Sequence, residues 1–386
     1  MGVYLTLLLV SAFLSISVYE GLVILGMLFI LLQRRVEKRG SLFFPLMGFA
    51  GITVASTAIY FPRMLIKSLS EGLFQLIYLF SIEKAEARKT LSKVPYLLTF
   101  LGILGIPLLI YNEVKTDSYK IFWGGVFETA QFYTIFLFAA FLIAVRDIKA
   151  NKNISREALF YIFLSTIFLL IVVFSHRRSY LLAAPVVFLL ILLLLYRNRL
   201  ISSRFVIFSL TALLLTGSVA YAYLSTKDIR FKTLNEVILS KKKLDAKTLN
   251  IISSSRYNIM LDGINIIAKD LEEGRYLNLL IGHGIRSGLY LPHEKSPKNW
   301  ERYESIILIS ELIERGVLGL ASIIFIYLLS FKKFLNIKLS SEDEIIYLIA
   351  FIPLLMHLIA SVFTFFWDAL LPLYLLMFKF GEKACR

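Results

Sequence analysis

Long apolar runs recur from one end of the chain to the other, at residues 3–16, 20–33, 42–62, 66–82, 94–111, 121–145, 158–175, 180–196, 205–224, 305–329, 345–365 and 369–380. About 20 apolar residues cross the hydrocarbon core of a bilayer as a helix. Lipid offers no hydrogen bonds, so a spanning backbone must satisfy itself, and a helix does so within one segment. Twelve such runs in 386 residues predict an all-α polytopic membrane protein with about 12 transmembrane helices, folded as a single membrane domain over residues 1–386. Composition agrees, with 58% of residues hydrophobic and only 18% charged, where a soluble protein carries about a quarter charged. Segment 66–82 holds Lys67 and Glu71 and is expected to face protein rather than lipid.

The short blocks between runs set the orientation. "RRVEKR" at 34–39, "EKAEARKTLSK" at 83–93, "RDIKANKNISR" at 146–156, "RNRLISSR" at 197–204, "FKKFLNIK" at 331–338 and the tail "KFGEKACR" are all basic. Twelve spans put all six on one side. Short Lys/Arg-rich loops stay in the cytoplasm, so both termini are expected there. Residues 225–303, between the ninth and tenth runs, form a long polar connection that the same count places on the extracytoplasmic face. It carries 14 Lys/Arg against 9 Asp/Glu, but long loops translocate largely regardless of charge. Within it, "SSSRYNIMLDGINIIAKD" predicts a serine-capped helix near 254–270 with Gly274 as its stop, and "IGHGIRSG" a glycine-rich turn.

"VVFSHRRSYLLAAPVV", residues 172–187, then becomes conspicuous. Arg177 and Arg178 fall between the seventh and eighth runs, on the outer side, in a loop too short to escape the charge rule. Either they snorkel to the interface, or they line an external cavity that takes an anion. The net charge of +15 does not point to nucleic acid. No recognition motif and no basic face on a soluble domain is present, and Lys and Arg hold loops against the anionic leaflet.

The single cysteine, Cys385, excludes an intramolecular disulfide and a cysteine metal site. External segments hold no Asp-x-Asp pair or His/Glu ligand spacing, so neither metal nor cofactor is expected. The beginning, "MGVYLTLLLVSAFL", lacks a basic leader and a cleavage site and reads as a retained first span. Its Gly2 has no myristoylation context.

Four elements converge on the outer face in this topology: the arginine pair with His176, Arg256 on the external helix, the "GHG" turn with His283 and nearby Arg286, and "ERYESIILISELIERGVLGL" at 301–320. The last carries Arg302, Tyr303, Glu304, Glu311, Glu314 and Arg315. Glu311 and Glu314 share a helix face, and Gly316 and Gly319 allow close helix approach.

The three elements "SHRRSYLLAAPVVFLLILLLLYR", "SSRYNIMLDGINIIAKD…LIGHG" and "ESIILISELIERGVLGL", in this order and topology, resemble the O-antigen ligases and O-antigen polymerases, multi-span enzymes of bacterial surface polysaccharide assembly. The resemblance covers most of the chain. It implies a GT-C-like membrane glycosyltransferase of the bacterial inner membrane, with its active site facing the periplasm. It implies transfer of a glycan from an undecaprenyl-diphosphate carrier to a sugar hydroxyl, on a lipid-linked repeat unit for a polymerase or on lipid A-core for a ligase. Ligases usually carry a histidine eleven residues before the first glycine of the last element. Counting back from Gly316 gives Ser305, with Glu304 beside it, and this departure favours the polymerase.

Chemistry assigns the roles. A departing lipid diphosphate gains negative charge, and the planar guanidinium fork matches phosphate oxygens. Arg178 and Arg256 are expected to stabilise it, with Arg177, His176, His283, Arg286, Arg302 and Tyr303 as candidate diphosphate- or glycan-binding residues. The acceptor hydroxyl must lose a proton to a carboxylate or imidazole; Glu304 is the first candidate base and His293 the second. Transfer is expected to be metal-independent. A transporter or flippase is the alternative from another class, but such proteins place their sites near the bilayer midplane and often show two related halves. Here the arginines sit at a membrane face and no repeat is visible.

Overall fold

The computed structural model describes residues 2–33, 36–37, 40–116, 119–121, 124–296 and 300–385. Most of the basic block at 34–39 thus lies outside the described residues. The chain is helical throughout, in the order α1 (Gly2–Leu14), α2 (Ile16–Gln33), α3 (Phe43–Tyr60), α4 (Leu65–Leu73), α5 (Lys84–Leu91), α6 (Val94–Thr116), α7 (Val126–Asn151), α8 (Arg156–Phe174), α9 (Arg178–Arg197) and α10 (Ser203–Lys227). Four helices follow in the long connection: α11 (Ile229–Ile238), α12 (Ala246–Ser253), α13 (Arg256–Glu272) and α14 (Tyr276–Ile281). The chain ends with α15 (Ile307–Leu335), α16 (Ile352–Ser361) and α17 (Leu371–Ala384).

Seven helical stretches among the described residues are long and apolar enough to cross a membrane: α3, α5 with α6, α7, α8, α9, α10 and α15. An eighth is possible by length where a 3-10 stretch at 342–350 meets α16 at a bend of 43°. The remaining expected segments are shorter or broken. α1 has 13 residues and α17 has 14, and segment 66–82 divides into nine-residue α4 and a six-residue 3-10 turn. These short pieces are packed within the bundle: Leu5, Leu8, Ala12, Tyr78 and most of α17 are buried. A helix held by protein need not itself meet the full bilayer thickness.

α7 is the central pillar, with 78% of its most apolar window buried, whereas only 6% of the α10 window is buried. The sequence accounts for the difference. α7 buries every residue from Thr129 to Ala140, so all its faces meet neighbours, and a helix apolar all round belongs in a core. α10 instead shows Ile207, Phe208, Leu214, Leu215 and Val219 outward, as a lipid-facing helix does.

Polar contacts gather the chain at the two ends of the bundle. At one end the Gly2 amide donates to Glu86 (2.9 Å), Arg88 donates to Glu344 (2.8 Å) and to the Ala384 carbonyl (3.0 Å), and Lys383 donates to Glu37 (2.6 Å). The Glu37 amide donates to the Leu79 carbonyl (2.8 Å). At the opposite end lie the starts of α7, α9 and α15 together with helices α11–α14.

α15 is broken rather than straight. Gly316 takes φ +63° and ψ −169° within it, and the glycine turn docks on the break: His283 N–H donates to Ile313 O (2.7 Å) and Gly284 N–H to Glu314 O (3.0 Å). Backbone meets backbone here. A Cβ on Gly282 would lie 2.3 Å from the Arg315 nitrogen, and one on Gly316 2.4 Å from the Leu280 carbonyl carbon. Glycine at both positive-φ positions is therefore a packing requirement.

Candidate functional site

The site is a two-lobed cavity at the α11–α14 end of the bundle. One lobe, of about 530 Å³, is lined by Arg177, Arg178, Arg230 and Arg256 with Glu304 as its single carboxylate among the described residues. The other, of about 660 Å³, brings in Arg286 and Arg302 but also Glu128, Glu301 and Asp368. Phe127, Arg177, Arg256, Trp300 and Glu304 line both. The first lobe is thus strongly basic; in the second, four arginines meet four carboxylates. Trp300, Trp367, Phe127 and Phe365 supply flat apolar walls to that charge-balanced lobe.

Local folding delivers the arginines. Arg178 is the first residue of α9 with Arg177 as its N-cap, and Arg256 is the first residue of α13. A helix N-terminus carries partial positive charge and favours acidic residues. Two helices that begin on arginine and open into one cavity run against that preference, and an anion bound between them removes the conflict.

The chain holds these guanidinium groups largely with neutral acceptors. Arg178 donates to the Ile252 carbonyl and to Ser254 Oγ (2.9 Å), at the end of α12. Arg256 donates to the Phe363 carbonyl. The Arg177 guanidinium makes no hydrogen bond among the described residues. Burial lowers the Arg256 pKa below its ordinary value; Glu304 pulls it back up, while the charges of Arg177 and Arg230 lower it further. Neutral carbonyl and hydroxyl partners orient a cation without cancelling its charge.

Among the described residues, Arg230 is the one arginine of the basic lobe with a carboxylate clamp. Its Nε lies 2.8 and 3.0 Å from the two oxygens of Asp228, while its terminal nitrogens donate to the His176 carbonyl (3.1 Å) and Ser254 Oγ (3.3 Å). It ties the loop bearing the arginine pair to the α12–α13 junction.

Glu304 sits where the lobes meet. Burial raises its carboxyl pKa above the usual 4.5, and Arg256 and Arg302 pull it partly back. Its oxygens accept no hydrogen bond among the described residues.

Sequence-expected residues divide accordingly. Arg177, Arg178, Arg256 and Glu304 come together from three distant stretches, and Arg286 and Arg302 reach the second lobe. Arg286 pairs with Glu301 there. Arg302 is buried in an ion network: it pairs with Glu71 and Glu314 (3.2 Å), and Arg315 pairs with Glu71 (3.1 Å), Glu311 (2.5 Å) and Glu314 (3.1 Å). That network anchors the connection to α4 and α15, and Glu71 faces protein as its place in an apolar run suggested, whereas Lys67 of the same segment is exposed.

Four expected residues line neither lobe. Both ring nitrogens of His293 are engaged, Nε2 by the Gly288 carbonyl (2.8 Å) and Nδ1 by Ser296 Oγ (3.0 Å), and the ring stacks on Tyr303. These contacts hold His293 away from the acceptor position that a general base requires. Tyr303 is itself buried, donating to the Pro292 carbonyl. His283 is buried against Asp270 (2.7 Å). His176 turns its ring toward Tyr223 and offers only its carbonyl, to Arg230.

Arg230, Glu128, His357 and Asp368 line the cavity without having been singled out by the sequence reading. A signal existed for the last three, since each is an ionisable residue inside or at the edge of an apolar run, where such groups mark functional positions. Arg230 is one of several bases in a polar stretch and had no such mark.

A protein from Aquifex aeolicus (strain VF5) is 43% identical to this chain over 378 residues, covering 97% of this chain and 95% of its own length. The chain belongs to the same family as that protein. The relative is described only as an uncharacterized protein, and no protein-family model matches the chain. The matched region takes in both the helical bundle and the connection that builds the cavity.

Proposed function

We propose that the chain is a membrane glycosyltransferase that moves a glycan from an undecaprenyl-diphosphate carrier to a sugar hydroxyl on the extracytoplasmic face of a bacterial inner membrane, acting as an O-antigen or related polysaccharide polymerase. The observation that carries this reading is the basic lobe: four arginines from three helix starts and a loop, of which Arg230 is paired with Asp228, with Glu304 the one lining carboxylate among the described residues, in a cavity at one end of an apolar bundle. The α1, α2, α4 and α17 segments complete twelve traverses of the bilayer, with both termini cytoplasmic; contacts of Gly2, Glu37, Arg88 and Ala384 at one end favour that count.

The diphosphate lies in the basic lobe and the acceptor in the charge-balanced lobe, with the anomeric carbon near their junction. The acceptor oxygen bonds to the anomeric carbon, the bond from that carbon to the phosphate oxygen breaks, and the acceptor proton passes to Glu304. Arg177, Arg178 and Arg256 hold the charge that develops on the leaving diphosphate. A carboxyl with a raised pKa, whose oxygens accept no hydrogen bond among the described residues, suits a base that must take and then release a proton.

Polymerase and ligase differ in product. A polymerase lengthens chains on the lipid diphosphate; a ligase moves a chain to lipid A-core. The test is transfer by the purified protein in lipid nanodiscs supplied with undecaprenyl-diphosphate-linked repeat units. Longer lipid-linked chains in wild type, absent with Arg178→Ala or Arg256→Ala, are expected. A deletion strain that still accumulates long carrier-linked chains and lacks only their attachment overturns the polymerase.

A further inference from the structure

The tip of the α11–α12 hairpin, residues 238–244, is a second surface with its own chemistry. α10 is a membrane-spanning candidate, and Asp228 both ends it and caps α11, with no linker between. α11 therefore starts at the boundary of the hydrocarbon. It folds back beside the end of α10, where Phe231 packs on Tyr221 at 6.2 Å between ring centroids.

The tip itself pairs two features that seldom coincide on a water-facing loop. Ile238, Leu239 and Leu244 are exposed, at 63%, 55% and 61%. Between them stand three consecutive exposed lysines, Lys241, Lys242 and Lys243. Residues 227–247 hold seven Lys/Arg (Lys227, Arg230, Lys232, Lys241, Lys242, Lys243, Lys247) against three acids (Asp228, Glu236, Asp245). Asp228 is occupied by Arg230, and Asp245 by the Thr248 amide. Apolar side chains flanking a cationic run at the level of a span end match the acyl boundary and headgroup layer of a bilayer.

We propose that this tip seats on anionic phospholipid headgroups of the leaflet at the cavity end of the bundle, with Lys241–Lys243 against the phosphates and Ile238, Leu239 and Leu244 in the acyl boundary. The hairpin carries part of the basic lobe: Arg230 of α11 and Leu249 and Ser253 of α12 line it, and the acceptors of Arg178 follow at Ile252 and Ser254. Lipid engagement at the tip thus fixes the wall against which Arg178 is held. The proposal needs α10 to span the membrane and is independent of the transferase reading.

The test uses the full chain with Cys385→Ser and Leu244→Cys, spin-labelled and reconstituted in nanodiscs of phosphatidylcholine alone or with phosphatidylglycerol. Oxygen and a water-soluble nickel chelate report immersion of the label; a label at exposed Glu272 on α13 serves as the water-facing control. Phosphatidylglycerol should raise oxygen and lower nickel accessibility at position 244 only, and K241Q/K242Q/K243Q should remove most of that lipid dependence, each lysine contributing about fivefold in headgroup occupancy. Equal accessibility at 244 and 272 in both lipids overturns the proposal. So does full phosphatidylglycerol dependence in the triple variant, or reproduction of the effect by free glycerol phosphate in phosphatidylcholine discs.

Discussion

Arg256 occupies the first turn of α13 and Arg178 the first turn of α9, positions where a dipole disfavours a cation by a few tenths of a kcal/mol or more. Neither is neutralised by a carboxylate, since Arg178 has a carbonyl and a hydroxyl and Arg256 a carbonyl. Substituting either by alanine is expected to lower turnover by roughly 10²–10³, the scale for losing one preorganised charge donor, while membrane insertion persists; radiolabelled transfer in nanodiscs checks this. Arg256→Lys should recover only a minor part, because the ammonium keeps the charge and loses the planar fork. Glu304 must be ionised to act as a base, so the rate falls as pH drops through its pKa. That pKa is raised by burial above 4.5, which moves the acidic limb of the pH–rate profile above the ordinary carboxylate range. Glu304→Gln should abolish that limb along with most of the rate; an unchanged limb in the variant refutes the assignment. The charged pair of arginines was visible in the sequence because it broke the loop-charge pattern, and the engagement of both His293 nitrogens was not, since hydrogen-bond partners five residues and three residues away depend on the turn geometry.

At the scale of elements, α15 and its docked glycine turn were only partly legible. The glycines at 282, 284 and 316 stood out as a pattern, but the sequence suggested a binding turn and close helix approach. The structure shows a turn seated on the exposed backbone of a helix break, fixed by His283 N–H to Ile313 O and Gly284 N–H to Glu314 O. Gly316→Ala meets both a left-handed φ of +63° and the Leu280 carbonyl carbon at 2.4 Å; a loss of stability of about 1–3 kcal/mol is expected from the backbone alone, read as a lower unfolding midpoint in detergent. The network of Arg302, Arg315, Glu71, Glu311 and Glu314 lies behind that break. Removing one member leaves buried charge without its partner, a change that costs about 3–5 kcal/mol. Arg315→Met should therefore destabilise more than Arg286→Met, whose partner Glu301 is half exposed at 51%. Thermal unfolding of the two variants side by side checks the order. Glu71 was legible as protein-facing because hydrocarbon does not tolerate a lone carboxylate; its partners 231 and 244 residues away were not, since pairing across such separations is set by tertiary packing.

For the whole molecule, helical class and membrane character followed from run length alone. The lengths of the individual helices did not, because the runs at 3–16, 66–82 and 369–380 yield α-helices of only 13, 9 and 14 residues packed against the rest of the bundle. The position of the basic lobe at one end of that bundle is what links topology to chemistry: the arginines come from the α8–α9 turn, α11 and α13, which only a closed helical assembly brings together. Equilibrium binding of undecaprenyl diphosphate to the protein in nanodiscs, measured for wild type and for R178A/R256A, probes that lobe without requiring turnover. Saturable binding that inorganic pyrophosphate displaces, weakened at least about 100-fold in the double variant, is the expected result; each lost charge-assisted contact accounts for about 1.5–3 kcal/mol. Equal affinity in wild type and double variant would contradict a diphosphate site at these arginines.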